Sequence, residues 1–224
     1  MWIPKKKELL GNFTRAGTHY ATGRISGSDH DFPSQATGKL IPLWIYDTRR
    51  NIWMMVLNTT HDTSEMNCNA IGLRWRQEWS IHYKDASEIV LLLDCGWSNA
   101  SSSLLYKHYL QLLVNKINVP IRITHYPPYT SKYNPIEHKM FCHVHRSCEW
   151  VMLTNVELAQ QLIAKTTTEQ WLKVSASIDS HVYETKKKIP KEHIQTVRNI
   201  PHRDDTLPQR NYVIKPNSNY QLII

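Results

Sequence analysis

Two acids frame the chemistry of this chain. Asp94 ends the apolar run EIVLLLD and passes directly into CGWSN, a string of turn and cap residues. Glu137 lies in RITHYPPYTSKYNPIEHKM, where Asn134 and Pro135 read as an N-cap followed by proline at the first helical position. Each acid also has an ordinary explanation, because Asp is a common turn former and a carboxylate in a helix's first turn suits the helix dipole. Their conjunction points further. An acid at the carboxyl end of a buried strand and another at the mouth of a later helix share the end of a mixed sheet where ligands bind. Paired carboxylates there suit a hard divalent cation such as magnesium, which takes oxygen ligands and cradles phosphoryl oxygens.

Other clusters carry chemistry with competing readings. CHVHRSC places Cys142, His143, His145 and Cys148 together, and His138, Cys142 and His145 share a helix face, which suits a zinc site. The spacing is too compressed for a standard finger, and a helix whose small thiols face the core accounts for it equally. Tyr126, Tyr129 and Tyr133 around Lys132 can stack on nucleic acid or pack on their own loop. Lys5 to Lys7 can meet phosphate or simply form a solvated face.

These residues need elements to position them. The runs GKLIPLWIYD at 38–47 and IWMMVLN at 52–58, separated by the turn formers DTRRN, predict an antiparallel hairpin, with Pro42 marking an edge or bulge. Ile71, Trp75 and Trp79 fall at helical spacing and predict a helix over Ser64 to Trp79, capped by Asp62 or Ser64. Ile89 to Leu93 is a continuous apolar run and predicts a strand buried on both faces. Leu105, Tyr109, Leu112, Leu113 and Ile117 predict the apolar face of a helix from about Ser102 to Asn118. Pro120 ends it and opens a strand to Tyr126, so the order β, α, β implies a crossover between parallel strands. After Asn134, Glu137, Phe141 and Val144 share one helix face. Thr154 and Glu157 form a capping-box pattern for a further helix through Leu158, Leu162 and Ile163.

Composition narrows the partners. With 224 residues and 41% apolar content the chain can bury a core as one large or two small domains. A formal charge of +8 favours a polyanionic partner, and residues 185–224 hold eight Lys or Arg against three Asp or Glu. Cys68, Cys95, Cys142 and Cys148 read as reduced, intracellular thiols, and the longest apolar runs are too short to span a bilayer. The composition therefore argues against a secreted disulfide scaffold and a helical membrane protein.

Several motifs together resemble a known family. DCGWSN at 94–99, ITHYPPYTSKYNPIEHKMF at 123–141, KKKELLGNF at 5–13, HDF at 30–32, GKLIPLWIYD at 38–47, LIAKTTTEQWLKV at 162–174 and NYVIKP at 211–216 resemble insertion-sequence transposases of the Rhodopirellula type. The resemblance implies an α/β fold, ribonuclease H-like, with a mixed five-stranded sheet flanked by helices and its first strand truncated. It implies a catalytic core over residues 1–166, incomplete at its N-terminus, and a basic C-terminal extension over 167–224. It implies metal-dependent DNA cleavage and strand transfer by a triad of two aspartates and a glutamate binding two magnesium or manganese ions. Asp94 then stands as the second acid and Glu137 as the third, both catalytic and metal-binding, while Lys132, Tyr133, Asn134, His138 and Asn99 meet DNA. The implied partners are transposon ends, target DNA and a second copy or full-length relative, in the cytoplasm and away from membranes.

One position departs from the family pattern. Where the family reads like DTKKKE, this chain reads IPKKKE, so Ile3 takes the place of the first aspartate and Pro4 that of the threonine. Asp47 and Asp62 are the nearby acids that could lend a carboxylate instead. The alternative is a catalytically inactive remnant that binds DNA or a full-length relative.

Overall fold

A computed structural model describes residues 2–4, 8–14, 26–28, 30–94, 96, 98–127, 141–149, 151–167 and 173–222, with the backbone alone for 2–4 and Phe141. In chain order the strands and helices are β1 (Trp2–Pro4), β2 (Glu8–Leu10), β3 (Gly38–Asp47), β4 (Ile52–Asn58), α1 (Ser64–Arg74), α2 (Ser80–His82), β5 (Ile89–Leu93), α3 (Leu104–Ile117), β6 (Ile121–His125), α4 (Phe141–Cys148), α5 (Val156–Ala164), β7 (Lys173–Ile178), α6 (Ile194–Arg198), β8 (His202–Arg203) and β9 (Asn211–Ile214). The chain is mixed α/β, and it divides into two compact units, each assembled from separated stretches. Among the described residues no helix is long and apolar enough to cross a membrane.

The first unit comprises mainly residues 3–60 and 132–182. Its centre is the predicted hairpin: β3 and β4 pair antiparallel from Ile41–Asn58 to Asp47–Ile52. Asp47 closes the turn by accepting from the backbone N–H groups of Arg49 and Arg50, and Asn51 takes the left-handed conformation at φ 52°. Pro42 lies beyond the stretch of β3 that pairs with β2, which ends at Leu40, so β2 does not need the N–H that proline lacks. β7 adds to β4 in parallel, from Ile52–Lys173 to Leu57–Ile178. Helix α5 is capped by Asn155, whose side chain accepts from Leu158 N; the cap is therefore one residue later than the predicted Thr154.

The second unit comprises Trp2 and residues 61–131 and 183–224. Its strands run in the order β1, β5, β6, β9, β8, with β1–β5–β6 parallel and β9 and β8 antiparallel to their neighbours. Thr63 caps α1 by accepting from Met66 N, where Asp62 or Ser64 was expected. All three residue types can cap, but the other two side chains are engaged elsewhere: Ser64 donates to Ser98 O, and Asp62 accepts from Asn67. The helix then widens into a five-residue π segment, Trp75–Trp79, before α2. Gly72 lets α3 approach α1, since a Cβ there would stand 3.1 Å from Leu113 Cδ1.

Two expectations for this unit need correction. β5 is not buried on both faces, because Val90 is 55% exposed while Leu91 and Leu93 are buried. The buried face of α3 carries Tyr106, Leu110, Leu113 and Val114, together with the polar Lys107, His108 and Gln111. Leu112, predicted to face the core, is exposed, and Leu105, Tyr109 and Ile117 lie at its margin. Within 167–224, β7 belongs to the first unit and α6, β8 and β9 to the second.

Candidate active site

Asp94 follows β5 directly, and the turn after it fixes its side chain. Its Oδ1 accepts from Gly96 N at 3.2 Å and from Asn99 Nδ2 at 3.1 Å. Oδ2 has no partner among the described residues, so one oxygen is anchored and the other is free to act as a ligand. Burial holds the carboxyl above the ordinary carboxylate range; the donors Asn99 and Gly96 oppose that rise, and the negative charge of Asp62 adds to it.

Asn99, expected at DNA, is 0% exposed. A completely enclosed side chain bonded to Asp94 is placed to orient that acid. Its backbone carbonyl lies 2.9 Å from His125 Nε2, and the other ring nitrogen lies 3.2 Å from Arg210 O. The His125 ring is buried between two acceptors, which favour a proton on each nitrogen, yet burial dominates and lowers its pKa. Sequence reasoning passed over His125, although a histidine closing the strand beside Asp94 was the available signal.

A second acid is held in the same manner. Asp62 Oδ1 accepts from Nδ2 of the fully buried Asn67 at 3.2 Å, and Asn67 also donates to Thr63 O at 2.8 Å. Ser64 Oγ donates to Ser98 O at 2.6 Å and so ties the start of α1 to the Asp94 turn. Two aspartates are thus each gripped by a buried asparagine, and the grips are linked. Asn67 Oδ1, Asn99 Oδ1 and Ser98 Oγ are buried oxygens without a hydrogen-bond partner among the described residues. Unsatisfied buried acceptors next to two repelling carboxylates are a donor set short of positive charge, and they fit a hard cation.

The remaining predicted positions fall in three groups. Glu137, Lys132, Tyr133, Asn134 and His138 lie outside the described residues. β1 pairs with β5 through Trp2 and Leu93, and Ile3 is the residue after Trp2 in the chain. In the proposed zinc cluster, Cys142 is exposed and Cys148 buried, and no group of three or more His, Cys, Asp or Glu that could hold a metal occurs among the described residues. Asp47 is occupied in its hairpin turn.

Comparison with known proteins adds one match. A family model described as the Rhodopirellula transposase DDE domain covers residues 4–216. No curated protein and no solved structure matches the chain.

Proposed function

The chain belongs to the Rhodopirellula transposase DDE-domain family, and on that premise we propose that it is a transposase cleaving and joining DNA at a site centred on Asp94. The observation that carries this reading is the Asp94 carboxylate itself, anchored by one oxygen, open at the other and flanked by partnerless buried oxygens. A ribonuclease H-like arrangement is part of the proposal, supported by the antiparallel β3–β4 hairpin and the parallel β5–α3–β6 unit.

Asp94 and Asp62, with Glu137 by the family motif, would hold magnesium or manganese. When bound, such an ion supplies Lewis-acid stabilisation of phosphoryl oxygens at a phosphodiester. The chain's own residues do the positioning. Asn99 fixes the plane of the Asp94 carboxylate, His125 holds the backbone carbonyl of Asn99, and Asn67 holds Asp62. Asp62 is the carboxylate we assign in place of the family's first aspartate, whose position is occupied by Ile3. Lys132, Tyr133, Asn134 and His138 are proposed DNA contacts on the strength of the family motif alone.

The test pairs activity with binding. Metal-dependent nicking of transposon-end DNA is expected from the wild type and lost in Asp94→Ala and Glu137→Ala; nicking that survives both variants overturns the proposal. Manganese binding followed by paramagnetic resonance is expected to weaken in Asp62→Asn, and unchanged affinity removes Asp62 from the site. The Ile3 position favours a second reading, in which the chain binds DNA without cutting it. Electrophoretic shift of DNA by the wild type, with no nicking at any metal concentration, selects that reading.

A further inference from the structure

Lys107 is a cation where the fold has no evident use for one. It lies on the buried face of α3, is 4% exposed, and its side chain makes no hydrogen bond or ion pair with any described residue, its backbone N–H donating to Ser103 O. Burial lowers its pKa, and the positive charges of Arg203 and Arg198 lower it further. A lysine enclosed by protein normally has a carboxylate beside it, because an unpaired buried charge is costly. Here the charges that reach it are cations.

The surrounding elements explain the gathering. α6 packs on α3 and ends in Arg198, and β8 carries Arg203 at the edge of the strand order. Arg203 donates to Pro208 O at 2.7 Å, which holds its guanidinium in place, and Arg198 is exposed, its side chain without a partner among the described residues. The adjacent acid, Asp204, is taken by Arg122, which grips both its oxygens at 3.0 and 2.8 Å while also binding Glu88.

We propose that Lys107, Arg198 and Arg203 form an anion seat for a backbone phosphate of bound DNA, separate from the Asp94 site. Register supports the assignment. Leu93 pairs with His125, Thr124 with Asn211, and Tyr212 with Arg203, so the seat and Asp94 lie at the same end of the sheet. Arg203 stands three strand spacings from β5, roughly 14 Å, while Lys107 on α3 lies nearer, its charge reaching His125. A strand whose reacting phosphate sits at Asp94 reaches the seat with a neighbouring phosphate. Guanidinium groups grip phosphate in a fork and a lysine adds a point charge, so the three side chains form a phosphate-binding set. The partner class rests on the transposase reading; the seat itself does not.

Lys107→Met keeps the stem and removes the charge, and so separates a ligand site from a structural cation. Without ligand, Lys107→Met is expected to melt at a higher temperature than the wild type. Inorganic phosphate, compared with chloride at equal ionic strength, is expected to raise the melting temperature of the wild type and to have no such effect on Lys107→Met or on Arg198→Gln with Arg203→Gln. In DNA binding, the slope of log affinity against log salt is expected to fall by about one for each cation removed. A phosphate response that persists in Lys107→Met, or an unchanged salt slope, overturns the seat. Phosphate protection through Lys107 in a wild type that binds no DNA overturns the nucleic-acid source. Loss of nicking in Asp94→Asn with the salt slope intact supports two separate sites.

Discussion

The β3–β4 hairpin of the first unit and the strand ends of the second bury their residues for opposite reasons. In the hairpin, Leu43, Trp44, Ile45, Trp53, Met54, Met55, Val56 and Leu57 are all buried, and the buried polar groups are few: Asp47 at the turn, the Trp44 indole N–H, and Asn58, whose amide donates to Asp179 O and His181 O at 2.8 Å. Around β5, β6 and α3, by contrast, Asn67, Ser98, Asn99, Lys107, His108, Gln111 and His125 are buried. The hairpin gains stability from burial. The strand ends spend some of that gain to hold charges and unsatisfied oxygens in fixed places, as sites with a ligand do.

Substitutions can break this contrast, and the largest effect is expected at Asp94. Asp94→Asn keeps both accepted hydrogen bonds at Oδ1 and removes the charge. DNA nicking is expected to fall by about 10³-fold or more, the equivalent of several kcal/mol of lost charge stabilisation. Stability should move the other way. A folded pKa raised above the unfolded value means the fold favours the protonated acid, so ionisation at neutral pH destabilises it. A higher melting temperature for Asp94→Asn at pH 7, read by circular dichroism, checks this; a lower one would assign the acid a structural role.

Trp44→Ala in the hairpin is the converse case. It is expected to cost about 3–5 kcal/mol in urea unfolding, through lost burial and a cavity with no nearby group to fill it. The intermediate case is Asn99→Ala, which frees Asp94 Oδ1. Metal affinity is expected to drop about 10–100-fold, as is usual when a group orienting a ligand is removed, and calorimetric titration with manganese measures it.

The smallest expected effect is a pH dependence. The buried His108 ring, 2.7 Å from the Tyr220 hydroxyl, has its pKa lowered to about 4 by burial, from 6.5. The unfolded chain binds its proton first as pH falls, so stability drops progressively from about pH 6.5 to about pH 4. His108→Gln is expected to flatten that part of the stability curve, measured as the urea midpoint against pH. His125 shifts in the same direction and adds to the slope.

The same contrast decides what could be read from sequence. The hairpin was legible because its buried residues are apolar apart from Asp47 and Asn58 at the strand ends, and its turn is made of turn formers. On α3 the apolar residues Leu105, Tyr109 and Leu112 suggested a face rotated from the true one, because Lys107, His108 and Gln111 occupy buried positions that a hydrophobic pattern assigns to solvent. Tertiary partners justify two of the three: His108 meets Tyr220, and Gln111 donates to Lys215 O. Neither partner is near in sequence. At the candidate site, Asp94 stood out because it ends an apolar run, whereas Asp62 did not. Asp62, Thr63 and Ser64 are all capping types, and only the bond of Asp62 to Asn67 within the same turn and the long-range bond of Ser64 to Ser98 distribute the roles.

The parallel pairing of β4 with β7 sets a timetable for folding. Residues 52–57 meet partners at 173–178, so the β7-side edge of β4 waits for about 120 residues of synthesis before it is paired, and closing so large a loop is slow. Unpaired strand edges invite association with other chains during that interval. A chain cut after residue 166 would leave that edge open permanently. Aggregation during expression, before any loss of catalysis, is the expected signature of such a deletion.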